Sequence, residues 1–155
     1  GVDGGLTLAS PLVTSLSPLA SLTSVQGASY GWPDAGLQVQ DMDSLITLDG
    51  LQSLSSVIGD VTIEWNDSLE SLEGLEGLSE TSGKVHILNN PALMGVEALS
   101  GLQSCSGVVF YEGNLSLPQC AVDALSDALA SEGASCPVSA DWLVDTPHSP
   151  GMSTN

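Results

Sequence analysis

Residues Gly59 to Leu78 read GDVTIEWNDSLESLEGLEGL. The stretch opens on a short β-rich alternation, Val61-Thr62-Ile63, and then sets Leu69, Leu72, Leu75 and Leu78 at intervals of three. Nearly the same pattern returns 24 residues later as VHILNNPALMGVEALSGL, from Val85 to Leu102. Period-two alternation predicts a strand with Val61 and Ile63 inward. Leucines three apart, punctuated by Gly and Ser, are too interrupted for a long α-helix and predict a turn-rich or 3₁₀-like return path.

Working outward, three blocks align without a gap: residues 37–60, 61–84 and 85–108. Their first positions are Leu37, Val61 and Val85, their third Val39, Ile63 and Ile87, and Gly59, Gly83 and Gly107 close them. Val109, Tyr111, Asn114 and Leu117 match the first, third, sixth and ninth positions of a further block. Upstream, Leu16, Leu19, Leu22, Val25 and Gly27 fit the same places once an insertion at 28–35 is allowed for. One repeat cannot bury its own leucines, whereas stacked repeats align them into shared columns. The expected fold is therefore mainly β: a right-handed β-solenoid of about five coils of 24 residues over residues 1–117.

Residues 118–133 predict a capping helix, with Ser116 as N-cap, Gln119 completing a capping box, and Ala121, Leu125, Ala128 and Leu129 on one face. Residues 134–155 predict an extended C-terminal tail. The other end begins strand-like sequence at once, so Leu6 and Leu8 would lie on an open terminal coil. Trp142, Leu143 and Val144 in the tail are the candidates to cover it, within the chain or from a neighbouring copy; head-to-tail contacts of the second kind build filaments.

The units GDVTIEWNDSLESLEGLEGL and VHILNNPALMGVEALSGL resemble receptor L-domain repeats, a leucine-rich-repeat variant of extracellular proteins, over about Leu6 to Leu117. That resemblance implies a receptor ectodomain, an adhesin or a cell-surface structural protein, because the same repeats serve all three roles.

Composition narrows the partners. Among 155 residues, 19 acidic side chains face a single Lys and no Arg, for a net charge of −18, so nucleic acid and anionic membrane surfaces are repelled. No apolar run reaches the ~18–20 residues that a spanning helix needs, so membrane insertion is not expected. Gly1 reads as a processed start and, with the cysteines, places the chain outside the cell, secreted or on the cell surface. Of three cysteines, Cys120 and Cys136 are the expected disulfide, with a bridge involving Cys105 as the rival.

Asn66, Asn90 and Asn114 recur at the sixth position of successive repeats. They read as an internal ladder of side-chain amides satisfying turn backbone, so glycosylation of the Asn66 and Asn114 sequons is not expected. Trp65, His86, Leu88 and Phe110 read as outward residues of a contact face. His86 and His148 have no second ligand at metal spacing, and Glu70, Glu73, Glu76 and Glu80 read as a solvated edge. No nucleophile elbow or phosphate loop occurs, so neither enzyme activity nor a cofactor is expected. The expected function is a structural or adhesive extracellular protein that self-assembles head to tail; the alternative is a monomeric recognition module binding a protein or glycan.

Overall fold

The computed structural model describes residues 1–27 and 35–140. In chain order its elements are β1 (Val2–Asp3), β2 (Leu6–Ala9), β3 (Ser24–Gln26), β4 (Ala35–Gln40), β5 (Ser56–Ile58), β6 (Asp60–Glu64), β7 (Glu80–Thr81), β8 (Lys84–Leu88), β9 (Gly107–Phe110), α1 (Gln119–Ser131) and β10 (Val138–Ala140). The strands form two sheets, ordered β1-β3-β5-β7 and β10-β9-β8-β6-β4-β2, and every pairing in both is parallel.

The 24-residue repeat reappears as strand register. Leu37 pairs with Val61 and Val61 with Val85; Val39 pairs with Ile63 and Ile63 with Ile87. All six are fully buried, while Thr62, Glu64, His86 and Leu88 between them are half-buried on the opposite face. Val25 pairs with Val57, 32 residues on, which is one repeat plus the eight residues of the insertion.

The leucine spacing has a backbone cause. The N–H of Leu75 donates to the Leu72 carbonyl and that of Leu78 to the Leu75 carbonyl, and Leu51, Leu54, Leu99 and Leu102 repeat the motif. Each closure spans three residues, so successive leucines return to the same inner side. Neighbouring repeats bond to each other between the strands as well, through Glu70 to Ile46 and Met94 to Glu70. Gly74, at φ +111°, faces the backbone carbonyl of Leu48 so closely that a Cβ would collide with it; Gly50 stands in the same relation to Leu16.

These sheets correct the expected fold class. In place of the expected right-handed β-solenoid, the described residues form four- and six-stranded parallel sheets and one α-helix, an α/β-like layout in which strands predominate. Two local facts account for the difference. The stretch read as a return path carries its own strand at each repeat, centred on Val25, Val57 and Thr81, and these build the second sheet. From residue 107 onward, β9, α1 and β10 form a strand–helix–strand crossover in which Val138, Ser139 and Ala140 pair in parallel with Val108, Val109 and Phe110.

Helix α1 packs inward through Val122, Leu125 and Leu129. Pro118, rather than Ser116, stands at its N-cap, and no side chain caps it; Gln119 donates instead to Asp123 at 2.8 Å. Among the described residues, no helix is long and apolar enough to cross a membrane.

Candidate functional site

The outward face of the six-stranded sheet carries an open groove of about 460 Å³. Thr62 and Glu64 of β6 form one side, His86 and Leu88 of β8 its floor with Asn89, and Tyr111 and Glu112, following β9, the other side. The alternation that buries Val61, Ile63, Val85 and Ile87 is what turns these side chains outward.

His86 is held from two directions. Its Nε2 lies 3.6 Å from Oδ2 of Asp60, and its ring stacks on that of Tyr111, with centroids 5.7 Å apart and planes 16° from parallel. Asp60 is itself anchored, because its Oδ1 accepts the backbone N–H of Lys84 at 2.7 Å. The groove thus presents a stacked aromatic pair together with two carboxylates, Glu64 and Glu112. Lys84, the single Lys or Arg of the chain, begins β8 and does not line the groove.

Phe110, expected outward, is fully buried. The expected alignment places Val109 beside Val85, but the register pairs Val108 with Val85, Val109 with His86 and Phe110 with Ile87. Gly107 opens β9 opposite Lys84 instead of closing the preceding repeat. The one-residue slip turns Phe110 into the core and brings Tyr111, read as an inward third position, onto the outer face. The chain recovers its register at Gly113, φ +87°, so that Asn114 again follows Asn90 by 24 residues.

Of the other outward residues, Leu88 and His86 line the groove and Trp65 stands just beyond Glu64, 54% exposed. Trp65 lies one position past the Glu64–Leu88 pair, level with Asn89 of the next strand. It adopts a left-handed backbone, φ +56°.

The three asparagines are buried and joined. Asn66, Asn90 and Asn114 donate from Nδ2 to the carbonyls of Val39, Ile63 and Ile87, each at 3.0–3.1 Å. The Oδ1 of each accepts the backbone N–H of Met42, Asn66 and Asn90 respectively.

Leu6 and Leu8 are half-buried in β2, which is an edge strand among the described residues. Trp142, Leu143 and Val144 lie outside the described residues. The disulfide corrects the expected pairing: it joins Cys105 to Cys136, and Cys120 is free and exposed. Cys120 sits in the first turn of α1, off the face that buries Val122, Leu125 and Leu129. Cys105 and Cys136 are instead brought to a Cα separation of 4.9 Å, the Cys105 N–H donating to the Ser135 carbonyl and the Ser135 N–H to that of Gln103.

No protein-family model, curated protein or solved structure matches this chain.

Proposed function

We propose that this chain is a non-enzymatic extracellular recognition module, which docks a partner protein on the outward face of its six-stranded sheet. The observation that carries the reading is the groove between Glu64 and Glu112, floored by His86 and Leu88. Its two rings stack on a parallel sheet, with the Asp60 carboxylate near His86, so a partner meets a surface that the fold already presents. The Cys105–Cys136 disulfide accords with an oxidising compartment.

A photo-crosslinking residue placed at Leu88 tests this reading in the medium of the cells that make the protein, with the same residue at Ile58 as control. Ile58 is exposed on the other sheet. A partner crosslinked from position 88, lost on Tyr111→Ala, and not crosslinked from position 58 supports docking in the groove. Equal crosslinking from both positions overturns it.

A second reading, self-association into a structural or adhesive array, is favoured by β2, where Leu6 and Leu8 are half-exposed although their partners Leu37 and Val39 are fully buried. Light scattering separates the two: multimers dispersed by Leu8→Lys favour self-association, and a uniform 15.7 kDa species counts against it.

A further inference from the structure

We infer that the groove takes a basic segment of the partner, with Trp65 as its anchor and Glu64 and Glu112 as the counter-charges for lysine or arginine side chains. The inference rests on the recognition reading and adds the chemistry of what is recognised.

Trp65 departs from its equivalents. The corresponding turn position holds Asp41 at φ +52°, Asn89 at φ +52° and Gly113 at φ +87°. Asp, Asn and Gly are the residues that tolerate a left-handed backbone, whereas a bulky side chain there is strained. Packing within the described chain covers less than half of Trp65, which is 54% exposed. Neither backbone preference nor full burial accounts for tryptophan at this place, which directly follows the groove residue Glu64 in the chain.

Charge selects the occupant. The groove wall carries Glu64 and Glu112, and the chain as a whole carries −18 with Lys84 as its only Lys or Arg. A cation is drawn to this surface, where an exposed indole follows a carboxylate in the chain, and both groups bind ammonium and guanidinium ions. Glu64 and Glu112 lie two strands apart, on the order of 10 Å. An extended peptide advances ~3.4 Å per residue, so basic side chains two or three residues apart reach both carboxylates. The Tyr111 and His86 rings lie between them, offering an apolar floor for the lysine or arginine stems.

The test is calorimetric titration with a blocked peptide of alternating lysine and threonine about eight residues long, with the glutamate–threonine peptide and chitohexaose as comparison probes. Variants are Trp65→Asn, Glu64→Gln and Glu132→Gln; the last makes the same charge change on exposed Glu132 at the end of α1. The lysine peptide is expected to bind and the glutamate peptide not to. Trp65→Asn is expected to weaken binding about tenfold or more while raising the melting temperature by about 2–4 °C as the backbone strain is relieved. Glu64→Gln is expected to weaken binding severalfold, and Glu132→Gln to leave it within about twofold.

Equal losses in all three variants would mean diffuse attraction to a negative surface and overturn the inference. Unchanged affinity in Trp65→Asn, or a lowered melting temperature, would also overturn it. Binding of chitohexaose in place of the lysine peptide, abolished by Trp65→Asn, would keep the recognition face but overturn the basic partner. No binding of any probe, together with equal crosslinking at positions 88 and 58, would remove both readings.

Discussion

The side chain of Asn66 donates from Nδ2 to Oδ1 of Asn90 at 3.0 Å, and the backbone N–H of Asn66 donates to that same oxygen at 3.2 Å. Asn90 makes the equivalent pair of bonds to Oδ1 of Asn114, at 3.3 Å and 3.1 Å. One amide column therefore ties successive repeats together through the buried turn after each strand of the larger sheet.

Asn90 is the middle member, and its Nδ2 also reaches the carbonyls of Ile63 and Leu88. Asn90→Ala leaves the Asn66 N–H and the Ile63 carbonyl without that partner in a dry interior. The expected loss is about 2–4 kcal/mol, since each unsatisfied buried group costs ~1–3 kcal/mol. Urea unfolding measures it; a loss below about 0.5 kcal/mol would show that the column is not structural.

Removing the Cys105–Cys136 bridge frees a loop of sequence separation 31 in the unfolded chain. Chain-entropy reasoning places the stabilisation at about 3–4 kcal/mol. Cys105→Ser combined with Cys136→Ser should lose that amount in guanidinium unfolding, and Cys120→Ser should lose almost nothing because Cys120 is free and exposed. A large effect of Cys120→Ser would contradict the assigned pairing.

Phe110 and Leu88 give a paired comparison, because a register one residue longer would exchange inward and outward roles around β9. Phe110 is fully buried and Leu88 only half so. Phe110→Ala is expected to destabilise by about 3–5 kcal/mol and Leu88→Ala by about 1 kcal/mol or less. Similar midpoints for the two variants in thermal or urea melts would argue that Phe110 faces solvent.

Much of the inner face was legible from Val61, Ile63, Val85 and Ile87, because strict alternation with a fixed repeat leaves no other side for them. Leu72, Leu75 and Leu78 were legible for a related reason, each three-residue closure returning the chain to the core. The second sheet was not. Ser56-Val57-Ile58 is only three residues long, Ile58 is exposed, and only pairing with Val25 and Thr81 makes the segment a strand. Long-range pairing of that sort has no local signature.

The site was half legible. His86 and Leu88 follow from alternation, and period counting also turns Glu64 and Glu112 outward, but Tyr111 reaches the groove through a slip of one residue, which period counting passes over when the blocks still align at Asn114. The disulfide was hidden because Cys105 reads as a core position and Cys120 as a helix residue with a neighbour in sequence, while the contact depends on β10 returning beside β9.

Parallel register across the larger sheet also fixes how the protein answers to force. Strands β2 and β10 stand at opposite edges, so tension applied between them acts across the strands and opens their pairings one after another, as a zipper opens. Each freed repeat of 24 residues pays out up to about 80 Å of chain. The Cys105–Cys136 bond blocks that release at the β10 edge, which leaves yielding to begin at β2 and advance in repeat-sized steps. A reductant would remove the stop and let the chain extend from both edges.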